Sequence, residues 1–243
     1  MKRDDWIDDD VAARMQRIDV AALESDLDAQ GWSVLPDLLS PPECDGIASL
    51  YDGGSGFRSH VVMGRYGFGQ GEYRYFSYPL PSLVQGLRTA LYPRLAALAN
   101  RWHERMGLDA RFPARHDEFI ARCAAAGQSR PTPLLLRYGA GDYNCLHQDL
   151  YGEHVFPLQV AVLLSRPVTD FNGGEFLLTE QRPRMQTRAS VVPLTQGAAV
   201  VFAVNSRPVR GTRGDYRVKL RHGVSQIIAG HRHTLGIIFH DAS

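Results

Sequence analysis

The spacing of apolar side chains along this chain switches from a helical period to a strand period partway through. In residues 19–30 the apolar positions Val20, Leu23 and Leu27 fall three and four apart, which predicts a helix. Gly31 stands where a left-handed C-terminal cap belongs. Residues 31–36 read as a brief strand that Pro36 stops. Ser40, Pro41 and Glu43 then supply an N-cap serine, a proline at the first helical position and a glutamate at the third, so a helix should run to about Tyr51. Leu83, Leu87, Leu91, Leu95, Leu98 and Trp102 predict a long helix over residues 83–106, disturbed at Pro93. Residues 117–126 predict another, ended by Gly127. His103 and His116 lie in or beside these helical segments and are expected at the surface.

From Pro131 onward the pattern becomes a succession of short β segments: residues 134–138, 156–164, 174–179, 189–194, 197–204, 217–224 and 233–239. Turn signals such as Asn172-Gly173-Gly174 and Gln196-Gly197 separate them. Strands in sequence without intervening helices predict a mostly β core, a sandwich or jelly roll, with the earlier helices packed outside. No repeat or low-complexity linker divides the chain. Residues 1–243 are therefore read as one domain, with residues 1–130 as helical and loop support and 131–243 as the β core.

Composition narrows the function classes. A length of 243 residues with 44% hydrophobic and 22% charged residues is that of an ordinary globular protein, and a net charge of +1 gives no global attraction to polyanions. Cys44, Cys123 and Cys145 are too few and too scattered for a disulfide framework, which points to a reducing cytoplasm. The opening MKRDDWIDDD lacks the apolar core of a signal peptide, and no apolar run reaches a membrane-spanning length.

Residues 52–81 differ from the rest. Glycines are interleaved with Tyr66, Phe68, Tyr73, Tyr75, Phe76 and Tyr78 and with Arg65 and Arg74, a composition that predicts irregular loops or a twisted hairpin. Its rings either pack on the neighbouring core or form a substrate flap, because rings and guanidinium groups stack on bases and grip extended peptides.

Candidate chemistry begins at His147-Gln148-Asp149. Two residues apart on an extended chain, the imidazole and the carboxylate project to the same side. They could supply two ligands of a 2-His-1-carboxylate Fe(II) site. With nine histidines in the chain, such a pair also arises by chance. His222 is the third candidate: period-2 parity puts Val218, Leu220 and His222 on an inner face and Arg217, Lys219 and Arg221 on the outer one. Arg232 opens the last strand, and an arginine entering a β interior is costly unless it meets a permanent anion such as a dicarboxylate. If Arg232 points inward, His231 and His233 point outward. Those two and His240-Asp241 are the competing ligands, and His154 either lines an entrance or is solvated.

The order H-x-D, Gly173-Gly174-Glu175, then H-x9-R from His222 to Arg232 resembles the Fe(II)/2-oxoglutarate dioxygenases of the prolyl-4-hydroxylase-like group over residues 134–241. The wording RYGAGDYNCLHQDLYGEHVFPLQ, FNGGEF, AVNSRPVRGTRG and GHRHTLGIIFHDA is also similar to bacterial 2OG-Fe(II) oxygenases described as acting on alkylation-damaged nucleic acid. The resemblance implies a double-stranded β-helix of cupin type. It implies Fe(II) on His147, Asp149 and His222, 2-oxoglutarate anchored by Arg232, O2 as cosubstrate and ascorbate as a candidate reductant. Tyr138 is placed near the cosubstrate. The strand tyrosine of oxygen-sensing prolyl hydroxylases is replaced by Leu163, so the hydroxyl of Thr179 or Thr234 becomes a candidate helper. Alkylation-repair dioxygenases also carry R-x-N-x-x-x-x-x-R on the final strand, of which only Arg232 is present here.

Two stretches are candidates for reading a macromolecular substrate, nucleic acid or protein. One is residues 64–79. The other is residues 205–221, where Arg207, Arg210, Arg213, Arg217, Lys219 and Arg221 stand against Asp215 as either a solvated edge or a phosphate-contacting rim. A prolyl or other protein hydroxylase and a non-catalytic cupin-like binding module are the alternatives to a nucleic-acid dealkylase.

Overall fold

A computed structural model of the protein describes residues 8–243; the first seven residues of the acidic opening lie outside the described residues. The first described element is a helix that its pattern does not advertise, α1 (Asp8–Arg17), whose described buried residues are Val11, Arg14 and Met15. Arg14 fastens it by donating to Leu38 O (3.0 Å) and Glu43 Oε1 (2.7 Å). Helix α2 (Val20–Gln30) ends at the expected cap, with Gly31 at φ 83°, and at its start Asp19 Oδ1 accepts from Ala22 N (3.0 Å). A Cβ on Gly31 would also come within 2.6 Å of Leu220 Cδ2, so conformation and packing both require glycine. After β1 (Trp32–Leu35), helix α3 (Pro41–Gly53) starts at the predicted capping box, with Ser40 N donating to Glu43 Oε2 (2.8 Å).

The glycine- and aromatic-rich stretch folds as strands β2 (Phe57–Val62), β3 (Gly69–Gln70) and β4 (Glu72–Phe76), with a short 3-10 turn over Met63–Arg65. β2 and β4 form an antiparallel hairpin, the regular one of the two expected forms, and β4 pairs onward with β5 (Leu134–Tyr138). The stretch is therefore an extension of a main sheet. Helix α4 (Ser82–Arg105) runs through Pro93 as one helix, contrary to the expected disturbance, and buries Leu87, Leu91, Leu95, Leu98 and Trp102. Helix α5 (His116–Ala125) follows.

His103 and His116 are buried, which corrects their surface assignment. Each ring nitrogen finds a backbone carbonyl, His103 Nδ1 at Ala110 O (2.9 Å) and His116 Nε2 at Phe239 O (2.8 Å), so an apolar site accepts the polar ring.

The remaining strands are β6 (Tyr143–His147), β7 (Leu158–Leu163), β8 (Phe171–Gly173), β9 (Phe176–Gln181), β10 (Arg188–Val192), β11 (Ala199–Ala203), β12 (Ser206–Gly211), β13 (Gly214–Val224), β14 (Ile227–Gly230) and β15 (Arg232–Ile237). A seven-stranded sheet has the order β1-β11-β7-β15-β5-β4-β2. A second has the order β10-β9-β13-β6-β3 with β12 on β13, and β14 and β8 make a separate ribbon. All these pairings are antiparallel, giving a jelly-roll β core with helices flanking it. The core is continuous from Val160, Val162, Val200 and Leu235 to Tyr92, Phe119, Phe156 and Phe239, which pack the helices on the larger sheet.

Candidate metal centre and its cavity

The three ligand candidates converge because β13 pairs with β6. His222 and His147 are direct cross-strand partners, with ring centroids 4.2 Å apart, and Asp149 follows just beyond the end of β6. The expected parity holds along β13: Val218, Leu220 and His222 are buried, and Arg217, Lys219 and Arg221 are exposed. Asp149 Oδ1 lies 3.5 Å from His147 Nε2 and Oδ2 lies 3.4 Å from His222 Nε2. One ligand atom from each residue falls within 4.8 Å of the others, and this is the one such group of His, Cys, Asp or Glu found among the described residues.

The protonation states suit a cation. His147 Nδ1 lies 2.7 Å from Cys145 O, a group that can only accept, so the proton sits on Nδ1 and the Nε2 lone pair faces Asp149. His222 packs against the rings of Phe202 and Phe176, and burial, then the neighbouring His147, push its pKa down. Burial would raise the Asp149 carboxyl, but its hydrogen bond to His222 and the charges of both histidines outweigh this and hold it well below the usual range. Two imidazoles and one carboxylate on one side of an open space fit a facial-triad Fe(II) site.

That open space is a cavity of about 340 Å³ extending from the triad to Arg232. Arg232 is 1% exposed, and burial pushes its pKa down to about 10. Among the described residues its one hydrogen bond is to Thr234 Oγ1 (2.6 Å), and its buried Nε has no partner. Tyr138 and Phe171 flank the guanidinium at 5.7 and 5.8 Å. Gly174, with φ 65°, passes so close that a Cβ would lie 3.0 Å from Arg232 Cδ, which accounts for the second glycine of Gly173-Gly174-Glu175. A buried cation without an anion is unfavourable by itself, and a carboxylate in the cavity would satisfy it.

Tyr138 and Thr234 both line the cavity. Tyr138 Oη accepts from Asn144 Nδ2 (3.2 Å), and burial pushes the phenol up to about 12, so it stays protonated. Thr179 lies outside the lining and bonds instead to Arg221 O (3.4 Å), which assigns it to packing. Leu163 pairs with Thr234 across β7 and β15. His154 is also outside the lining; its backbone N donates to Gln128 Oε1 (2.8 Å). His231 is exposed, His240 Nδ1 accepts from Phe156 N (3.2 Å), and Asp241 pairs with Arg88, so none of these competes for a metal.

The basic run is smaller than its sequence implies. Arg207 turns inward onto Glu180 and the carbonyls of Asp28 and Ala29, and Arg217 reaches Met106 O. Asp215 is taken by Arg105 (2.8 Å). Phe68, Tyr73 and Tyr75 line the cavity, and Tyr66, 62% exposed, stacks on Phe68, 48% exposed, at 5.5 Å. Arg74 turns inward over Tyr51 at 4.8 Å. Three further residues of the site escape a reading by motif. Tyr151 donates to Asp149 Oδ1 (2.6 Å), Gln148 ties the ligand segment to Leu220 O (2.7 Å) and Asn205 Oδ1 (2.9 Å), and Asn144 holds Tyr138. The two-residue spacing of Asp149 and Tyr151 was the available signal.

Residues 71–242 match a family of oxygenases described as catalysing oxidative methylation of damaged DNA. Uncharacterized proteins from two strains of Mycobacterium tuberculosis, CDC 1551 and H37Rv, are each 51% identical over 168 residues, covering 69% of this chain and 72% of theirs. Among solved structures, a prolyl-4-hydroxylase from Pseudomonas putida superposes with a TM-score of 0.50 at 15% identity, covering 92% of this chain and 99% of that one. A 2OG-Fe(II) oxygenase family oxidoreductase from Burkholderia pseudomallei gives 0.51 at 18% identity, covering 93% and 94%. These likenesses show a shared fold. With more than two thirds of its length matched, the chain belongs to this family of oxygenases, and its ligand triad and buried arginine face one cavity.

Proposed function

We propose that the protein removes alkyl groups from damaged nucleic acid by hydroxylating the carbon attached to nitrogen. His147, Asp149 and His222 hold Fe(II), and Arg232, oriented by Thr234, takes the far carboxylate of 2-oxoglutarate. The observation that carries this reading is the anion-free Arg232 facing the same cavity as the triad. Bound together, iron and 2-oxoglutarate supply the oxidant: O2 is consumed, 2-oxoglutarate leaves as succinate and CO2, and one oxygen atom enters the substrate as hydroxyl. An alcohol on an N-alkyl carbon is a hemiaminal, which breaks down to an aldehyde and the repaired base.

The chain's own contribution is placement. The contact of His147 Nδ1 with Cys145 O leaves its Nε2 turned towards the metal position, and the cross-strand pairing sets His222 Nε2 beside Asp149 Oδ2. Apolar walls from Leu134, Leu136 and Phe176 limit water near the ligands. The family description and the exposed Tyr66 and Phe68 pair, suited to stacking on a base, support the nucleic-acid substrate.

Anaerobic addition of Fe(II) and 2-oxoglutarate should produce the visible charge-transfer band of a bidentate complex, and its absence in folded protein would overturn the oxygenase reading of this site. Succinate release should then couple to alkylated oligonucleotides. Coupling to proline-rich peptides alone would replace the dealkylase reading with a protein hydroxylase.

A further inference from the structure

Asp149 is held by a neighbour that the ligand set does not require. Tyr151, two residues on, donates its hydroxyl to Asp149 Oδ1 at 2.6 Å, leaving Oδ2 at 3.4 Å from His222 Nε2. The rings of Tyr73 and Tyr75 meet edge to face at 5.4 Å, and both line the cavity together with Tyr151. Tyr73 and Tyr75 belong to β4, the strand that joins the larger sheet. The Asp149 side chain is 13% exposed, so little water competes for Oδ1.

A carboxylate has two equivalent oxygens, and a free one can rotate to occupy a second position on a metal. Such rotation would close a position that a bidentate cosubstrate needs. A hydroxyl donating to Oδ1 opposes it, and outer hydrogen bonds of this kind typically contribute about 10–100-fold to metal affinity.

We propose that Tyr151 is a positioning residue for the metal centre, holding Asp149 so that Oδ2 alone is offered to the ion. The inference rests on the assignment of His147, Asp149 and His222 as the metal site.

Co(II) alone, added to the full-length protein, tests this through binding affinity and visible absorption, without turnover. Tyr151→Phe should weaken Co(II) binding by about 10–100-fold and alter the intensity of its visible bands as the carboxylate changes mode. Tyr75→Phe and Tyr73→Phe, which leave the Tyr151 hydroxyl in place, should weaken it less. Wild-type Co(II) affinity and an unchanged spectrum in folded Tyr151→Phe would overturn the proposal. If that variant does not fold, unchanged Co(II) affinity in Tyr151→Met would overturn it instead. Asp149→Ala separates the two levels: it should abolish Co(II) binding, and retention there would overturn the metal-site assignment itself.

Discussion

Two buried arginines in this protein occupy opposite situations. Arg88, on α4, is saturated: Asp241 Oδ1 lies at 2.8 Å, Ile238 O at 2.8 Å, His240 O at 3.1 Å and the Tyr78 hydroxyl at 2.9 Å. Gln128 and Thr132 add bonds to the same C-terminal segment, so the region is a closed polar clasp between the helices and the end of the sheet. Arg232, equally buried, has one hydroxyl partner and an idle Nε. Burial alone does not separate them. The first cation belongs to the fold, whereas the second is the one that the proposed function assigns to the cosubstrate carboxylate.

The largest expected effect of a single substitution lies at the clasp. Arg88→Ala strands Asp241 without its cation and should cost about 3–5 kcal/mol of unfolding free energy, measured by denaturant titration. A loss below about 1 kcal/mol would show that the clasp is not a structural ion pair.

Acid should loosen the same region next. Burial, and then the charge of Arg88, push His116 and His240 from 6.5 down to about 4. As pH falls below about 6.5 the unfolded chain takes up protons at both rings, while the folded chain does not do so until about 4. Stability is therefore complete above this window and falls within it, on the order of 3 kcal/mol per ring by pH 4. Denaturation midpoints at pH 7 and pH 5 check this, and His116→Gln should flatten the dependence.

The smallest of these effects in energy is at the cavity. Arg232→Ala should weaken 2-oxoglutarate binding by about 30-fold or more, roughly 2 kcal/mol, with Co(II) affinity and unfolding free energy in the absence of 2-oxoglutarate unchanged or higher. A destabilised Arg232→Ala protein with normal 2-oxoglutarate affinity would reverse the roles of the two arginines.

The legible parts of the molecule were those encoded locally. The caps at Gly31 and Ser40 act within a few residues of the backbone they satisfy, and parity along β13 needs only alternation. His147, Asp149, His222 and Arg232 could be read because period-2 placement and a motif agreed. Where partners come from distant strands, local reading failed. Arg207 looked like part of a basic rim because Glu180 and the end of α2 are far away in sequence. His103 and His116 looked exposed because the carbonyls that satisfy them are invisible in composition. β8, β12 and β14 are short or Pro- and Gly-containing and owe their strand character to the partner beside them.

The direct pairing of His147 with His222 makes ion loading a proofreader of strand alignment. If β13 slipped by one residue against β6, His222 would turn to the outer face and a neighbouring residue would take its place over the cavity. A molecule so misaligned presents at most one histidine and cannot hold the ion. The loaded fraction therefore counts correctly aligned molecules, and an ion supplied at 100 times its dissociation constant would favour that alignment by about 2.7 kcal/mol.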